Sequence, residues 1–76
     1  MTLEQKKALG KQLKMARVWL NIERSEAAMK TGVSEKQLRN IEVDGSTGSV
    51  VKYLLFLREK GIDLNLLFDK AIKGEF

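Results

Sequence analysis

The side chains best suited to recognition chemistry follow the Gly-Val-Ser segment at 32–34, where Glu35, Lys36, Arg39 and Asn40 share the polar surface of a predicted helix. Each of these side-chain types matches a base edge of duplex DNA. A carboxylate can accept from cytosine N4, and an ammonium can donate to guanine O6 and N7. An amide can pair with adenine through two hydrogen bonds, and Arg39 can reach a guanine or a phosphate. This surface therefore favours binding chemistry.

Plainer interpretations of the same residues stay open. An acid in the first turn of a helix is favoured by the helix dipole, which explains Glu35 as well as base contact does. Gln37 is better explained by a capping box with Ser34 than by base recognition. Lysines and arginines on helix faces are often solvated groups that bind nothing.

Catalytic and metal chemistry is poorly supported by the composition. The chain has no Cys and no His, which removes thiolate metal sites, the commonest metal ligand and the commonest general base. Glu23 and Glu26 lie on one short predicted helix and are explained by a solvated face. We therefore expect no enzymatic activity, no metal and no cofactor.

Positive charge is concentrated in the first two thirds of the chain. Between Lys6 and Lys52 there are ten Lys and Arg residues against five Asp and Glu, whereas from Tyr53 to Phe76 the numbers are four and four. This asymmetry favours a phosphate-facing half, although solvated helix faces explain it equally well. The longest apolar run has five residues, ending at Leu57, where a membrane span needs about 20. The first residues resemble no secretory leader, so we expect a cytoplasmic protein without membrane contact.

The elements that position these side chains are all predicted to be helices. The chain contains no Pro and no alternating pattern long enough for a strand. Two capping boxes, Thr2 with Gln5 and Ser34 with Gln37, mark helix starts. Asn21 suits the left-handed conformation that ends a helix. The predicted helices span residues 3–20, 24–30, 34–41, 50–60 and 64–73, within one domain at 1–76.

The connections follow from turn-forming residues. Gly32 allows a positive φ between the second and third helices, and a loop is predicted at 44–49. Asp63 can cap the fifth helix. The apolar stretch at 50–57 resembles a strand in composition, but it continues to eleven or twelve residues before Gly61, which favours a helix. The predicted core positions of the first three helices are Leu9, Leu13, Ala16, Leu20, Ala27, Ala28, Val33, Leu38 and Ile41.

Two helices joined by a Gly-containing turn are typical of a helix-turn-helix, predicted here at about 23–42. Residues 10 to 68 also resemble the phage-repressor-like (Cro/C1-type, XRE) helix-turn-helix family. The residues that carry the resemblance, in the family's spacing, are Arg17, Ile22, Ala28, Gly32-Val33-Ser34, Leu38, Ile41-Glu42, Tyr53, Phe56, Gly61-Ile62-Asp63-Leu64 and Leu67-Phe68.

The resemblance implies an all-α, five-helix lambda-repressor-like DNA-binding domain. By position in that family, Glu35, Lys36 and Asn40 face the bases in the major groove. The resemblance also implies that Arg17 pairs with Glu42 and so fixes the third helix. The phosphate-binding candidates are Arg24, Arg39, Lys30 and, with a spare donor, Arg17.

The sequence departs from the family pattern at several positions. Asn21 replaces the turn Gly, Glu23 the capping Ser and Arg24 the first-turn Gln. Glu23 lies where the family approaches a phosphate, and a carboxylate there opposes an anion. Ala27 replaces a larger Leu, so we expect Met29 or Trp19 to fill the core nearby.

The last third of the chain is predicted to carry an association surface. Apolar residues there exceed what one side of a small bundle buries, and we assign Leu64, Leu67 and Phe68 to a homodimer contact. A fuller core within one chain is the alternative.

Two functions remain open. The first is a small prokaryotic or mobile-element transcriptional regulator that binds double-stranded DNA in a sequence-specific manner. The second is a protein-interaction module of the same fold, antitoxin-like or an adaptor, with weak DNA binding and a protein partner.

Overall fold

The computed structural model describes residues 2–45 and 48–73, which form five α-helices and no strand. The all-α class is thus as expected. The helices are α1 (Leu3–Trp19), α2 (Arg24–Thr31), α3 (Glu35–Asp44), α4 (Val50–Glu59) and α5 (Leu64–Ile72). Residues 46 and 47 of the predicted loop lie outside the described residues, as do residues 1 and 74–76 of the predicted domain. The predicted helix bounds agree with these within three residues.

Local sequence explains where the helices begin and end. Both capping boxes are confirmed: Thr2 and Ser34 each accept from the backbone N–H three residues on, and the Gln side chains there accept from the cap N–H groups. Asn21 is left-handed with φ 59°, and Gly32 ends α2 with φ 76°. The carboxylate of Asp63 accepts from the Leu66 N–H and so caps α5. These predictions are confirmed.

The core is built around α1, which packs mainly against α3 and α5. The predicted core positions of the first three helices are confirmed as buried or half-buried. The buried residues of the core are Ala8, Leu9, Leu13, Ala27, Val33, Leu38, Ile41, Tyr53, Phe56, Leu57, Leu67 and Ala71. Burial of these apolar side chains is the main stabilising contribution to the fold.

The expectation that Met29 or Trp19 fills the core beside Ala27 is wrong. Met29 is 75% exposed and Trp19 is 78% exposed. Met29 follows Ala27 by two residues, which places it about 200° around the helix, on the opposite face. Ala16 and Leu20 lie on the face of α1 that packs against the core, and Trp19 lies outside that face. Neither Met29 nor Trp19 therefore belongs to the core cluster that contains Ala27.

Two glycines permit backbones to approach closely. Gly10 is buried in the middle of α1, and a Cβ there would overlap the carbonyl oxygens of Ile41 and Glu42 on α3. Gly45 ends α3 with φ 68°, and a Cβ there would overlap the backbone of Lys6. The helix-weakening Gly10 is thus explained by contact between α1 and α3.

Within the part of the chain that the structure describes, no helix is both long and apolar enough to cross a membrane.

Candidate nucleic-acid interface

A buried ion pair joins α3 to α1 and sets the position of the candidate interface. Arg17 on α1 donates from Nε to Glu42 Oε2 at 2.7 Å and from a terminal nitrogen to Glu42 Oε1 at 3.1 Å. Both side chains are buried, and the remaining terminal nitrogen of Arg17 donates to the Ile22 carbonyl at 2.8 Å. The predicted pairing of Arg17 with Glu42 is therefore confirmed. A two-pronged contact of this type restricts orientation as well as distance.

Tyr53 on α4 completes the same cluster. Its hydroxyl donates to Glu42 Oε2, and the Leu13 carbonyl oxygen lies 3.4 Å from that hydroxyl. Burial first, and then the hydrogen bond and the charge of Glu42, raise the pKa of Tyr53 well above its usual value. The hydrogen bonds to Glu42 raise the pKa of Arg17, and burial opposes that change. One carboxylate thus joins α1, α3 and α4.

Arg24, the first residue of α2, borders the cluster. Its Nε lies 3.5 Å from Glu42 Oε1, is itself buried, and makes no hydrogen bond within the described residues. The side chain as a whole is 35% exposed. Two cations therefore face one buried carboxylate, which leaves positive charge at the start of α2.

The opposite face of α3 is solvent-exposed and polar at every predicted readout position. Glu35, Lys36 and Asn40 are all exposed, as is Arg39. Lys36 and Asn40 are four residues apart and so point the same way. Asn40 also borders a small cleft of about 70 Å³ that it shares with Gln37, Gly48 and Ser49. The structure brings the three predicted base-contacting residues together on one accessible surface.

The predicted phosphate-binding residues are distributed less evenly. Arg39 on α3 and Lys30 in the last turn of α2 are exposed, and Arg24 is half-buried. Arg17 is a correction to the prediction: it is 6% exposed, and three of its nitrogens donate within the chain. A phosphate cannot reach a guanidinium enclosed in this way. Arg17 is a structural residue here.

The helix N-termini differ in how their free N–H groups are satisfied. Side chains cap α1, α3 and α5, whereas the N-cap residues of α2 and α4, Glu23 and Ser49, make no such hydrogen bond. The first N–H groups of a helix carry partial positive charge and bind anions readily. No N-cap side chain therefore satisfies the first N–H groups of α2 and α4.

The residues assigned to an association surface occupy two environments. Leu67 is 5% exposed and packs in the core of its own chain, which corrects its assignment to a partner contact. Leu64 and Phe68 are half-buried on one face of α5, beside Arg58 and Asn65. Leu67 points inward because it lies one turn from Ala71, which is also buried.

Sequence reasoning missed two members of the cluster beneath α3. Tyr53 was matched only as one residue of an apolar pattern, although a tyrosine within a buried helix needs a partner for its hydroxyl. That need was the available signal. Arg24 was predicted to bind phosphate, and no sequence pattern places its Nε beside Glu42.

No group of residues that could hold a metal ion occurs within residues 2–45 and 48–73. Comparison of the chain with protein-family models, with curated proteins and with solved structures gave no match.

Proposed function

We propose that this chain is a sequence-specific DNA-binding protein, in which α2 and α3 form a helix-turn-helix of the lambda-repressor-like type. In this proposal α3 enters the major groove and acts as the recognition helix. The observation that carries the proposal is the division of α3 into two faces. One face is fixed to α1 and α4 through Glu42, and the other exposes polar side chains suited to base edges.

Base recognition is assigned to the exposed residues at the start and middle of α3. Lys36 would donate to a guanine, Asn40 would pair with an adenine, and Glu35 would accept from a cytosine. Arg39 is near enough to this surface to contact a guanine or the adjacent phosphate. A rigidly held helix favours such contacts, because each depends on accurate placement of two hydrogen bonds.

Phosphate contacts are assigned to Arg24, Arg39 and Lys30. The uncapped starts of α2 and α4 would add backbone N–H donors on either side of the groove. Contacts of this type supply much of the affinity of DNA-binding proteins and make it depend on salt. Glu23 opposes an anion at the start of α2, so the cations must outweigh it.

We further propose a homodimer formed through Leu64 and Phe68. Both are half-buried apolar residues of α5, and Phe68 also packs partly against the core of its own chain. A two-fold dimer would place two recognition helices about 34–36 Å apart, one turn of DNA. Light scattering measures the mass directly, and Phe68→Lys should yield a monomer because it places an unpaired charge in an apolar contact. A monomeric unmodified protein at high concentration, both alone and on DNA, would contradict the dimer.

The experiment that tests the function is selection of bound sequences from random duplex DNA at controlled salt. An enriched palindrome would support a small prokaryotic or mobile-element transcriptional regulator, which acts in the cytoplasm, and would give the half-site spacing. A protein that enriches no sequence, and that binds no tighter than about 10⁻⁴–10⁻⁶ M, would contradict sequence-specific binding.

The second candidate function is a protein-interaction module of the same fold. Two observations favour it: the acidic Glu23 and Glu35 lie where DNA would approach, and Trp19 is exposed on α1. Failure to enrich a DNA sequence would make this the better proposal.

A further inference from the structure

The apolar surface that the proposed DNA-binding function does not use is a groove between α1 and α5. Met15, Ala16 and Trp19 line it from α1, and Ile62 and Leu66 line it from α5 and the preceding turn. The groove has a volume of about 470 Å³ and is open to solvent. Trp19 is 78% exposed and Met15 is 46% exposed. Large apolar side chains grouped in a concavity mark a binding surface more than scattered ones do.

A second shallow depression continues this groove over the outer side of α1. It shares Met15 and Trp19 with the groove and adds Val18, Lys11 and Lys14. The two depressions together form one surface, which we call the Trp19 groove. It lies on the face of α5 that carries Leu66 and Lys70, whereas the proposed dimer contact uses Leu64 and Phe68.

The charge around the Trp19 groove is almost entirely positive. Lys11, Lys14 and Lys70 border it, and no acidic residue occurs in the sequence between Glu4 and Glu23. The one acidic side chain in the lining is Asp63, whose carboxylate already caps α5. An occupant that carries negative charge would therefore be attracted on both sides of its apolar contact.

A second copy of the chain is a poor match for this surface. A two-fold contact through this groove would place the surface bordered by Lys11, Lys14 and Lys70 in one copy against the same positively charged surface of the other. Like charges brought together in that way oppose association. The charge pattern therefore selects a different partner.

The occupant is expected to be helical. A peptide that binds as a β-strand gains its affinity largely by adding to the open edge of a sheet, and residues 2–45 and 48–73 contain no strand. A helix satisfies its own backbone hydrogen bonds and needs only an apolar groove for its side chains. Met15, Val18 and Trp19 are spaced to receive apolar side chains from successive turns of such a helix.

From these observations we infer that the Trp19 groove binds an acidic amphipathic helix of a partner protein. The partner's apolar stripe covers Trp19, Met15 and Leu66, and its flanking carboxylates face Lys11, Lys14 and Lys70. This inference does not rest on the proposed DNA-binding function, because the groove shares no residue with the exposed face of α3.

The test uses the fluorescence of Trp19, the only tryptophan in the chain. The probe is a synthetic helical peptide of about 18 residues, roughly five turns, with Leu along one stripe and Glu on both sides of it. Its control carries Lys in place of every Glu. The Glu peptide should shift the emission to shorter wavelength in a saturable way, and the Lys peptide should bind at least about tenfold more weakly.

Two matched pairs of variants locate the site. Met15→Glu should weaken binding of the Glu peptide at least about tenfold, whereas Met29→Glu, the same change at an exposed residue of α2, should not. Lys14→Glu should weaken it several-fold, and Lys52→Glu, which lies outside the groove lining, should not. Asn40→Ala should leave peptide binding unchanged, which separates this test from that of DNA binding.

Several outcomes would overturn the inference. Equal binding of the Glu and Lys peptides would mean that the lysines around the groove do not select an acidic partner. No binding of either peptide would contradict a helical partner. An emission shift that appears with protein concentration alone, together with a doubling of mass in light scattering, would assign the groove to a second copy. A shift on phosphatidylglycerol vesicles that exceeds the shift with the Glu peptide, and that Met15→Glu abolishes, would assign the groove to a lipid surface.

Discussion

The two faces of α3 differ in what they contact. The inner face holds the helix in place, whereas the outer face is available for recognition. On the inner face, Leu38, Ile41 and Glu42 are buried, and Glu42 is bonded to α1 and α4. On the outer face, Lys36 and Asn40 are exposed. The position of the helix is thus set by groups that no ligand reaches. Substitutions on the inner face should change the free energy of unfolding, and those on the outer face should change binding.

The largest expected effect is that of Glu42→Ala on stability. Its removal leaves Arg17 buried without its partner, which should lower the free energy of unfolding by roughly 3–5 kcal/mol. Glu35→Ala on the exposed face of the same helix should change it by no more than about 1 kcal/mol. Urea denaturation of both variants measures the difference.

A double-mutant cycle with Arg17→Ala sharpens this prediction. Once the carboxylate is gone, removal of the buried guanidinium should be much less harmful than in the unmodified protein. The double variant should therefore lose less than the sum of the single losses. Additive losses of unfolding free energy would mean that Arg17 and Glu42 do not stabilise the fold as a pair. A Glu42→Ala effect as small as that of Glu35→Ala would mean that the inner face of α3 does not determine stability.

The next largest effect is expected from Tyr53→Phe, which removes one hydrogen bond to a charged acceptor. The loss at neutral pH should be about 1.5–3 kcal/mol. Leu57→Val on the same helix removes one methylene without a hydrogen bond and serves as a packing control, with an expected loss of about 1 kcal/mol. Chemical denaturation at neutral pH measures both variants, and a Tyr53→Phe loss no larger than that of the control would contradict the hydrogen bond.

The pH dependence of Tyr53 follows from its raised pKa. The unfolded chain releases the phenol proton near pH 10, whereas the folded protein holds it to higher pH. The stabilisation is therefore complete below about pH 10 and is lost as pH rises toward the folded pKa. The free energy of unfolding should fall more steeply above pH 10 in the unmodified protein than in Tyr53→Phe. Parallel curves would mean that the phenol is not held in its protonated form.

How well the sequence predicts the two faces of α3 depends on how far apart the interacting residues lie along the chain. Caps and turns are decided by a few neighbouring residues, which is why the Ser34 capping box and the left-handed Asn21 were predicted correctly. The exposed face of α3 was also predictable, because helical periodicity separates its apolar stripe from its polar side. The pairing of Arg17 with Glu42 came from a resemblance, and the structure confirms it.

Interactions between distant segments were predicted less well. The expectation for Trp19 failed because the sequence does not specify which side of α1 turns toward the core. Ala16 and Leu20 pack against the core, whereas Trp19 is exposed. The assignment of Leu67 to a homodimer contact failed for a similar reason. Which face of α5 packs inward depends on how α5 is rotated about its axis against α1.

On the outer face, Asn40→Ala should weaken binding to a preferred DNA site by about 1–3 kcal/mol and have little effect on random duplex. Lys36→Ala should relax preference at a different base pair. Neither substitution should change the free energy of unfolding, since both side chains are exposed. Titrations on preferred and scrambled duplexes at one salt concentration measure the effect. Equal losses on both duplexes would assign these residues to general affinity only.

The smallest expected effect concerns the dependence of DNA affinity on salt concentration. It compares an arginine on the exposed face of α3 with one that lies beside the buried Glu42. Arg39 is exposed, whereas the Nε of Arg24 is buried beside Glu42. Each substitution by Ala should reduce the slope of log affinity against log salt by about one charge.

Stability should distinguish the two arginines even where their salt slopes agree. Arg39→Ala should leave the free energy of unfolding unchanged, because the side chain is exposed on α3. Arg24→Ala should lower it, since Glu42 loses its second cation. Lys7→Ala, an exposed lysine on α1 outside the proposed DNA and dimer contacts, is the control and should alter neither quantity. If the salt slope of Arg24→Ala equals that of Lys7→Ala while its stability falls, Arg24 serves only to neutralise Glu42. Phosphate binding would then depend on Arg39 and Lys30. Arg24, at the start of α2, would belong with the structural residues that contact the inner face of α3.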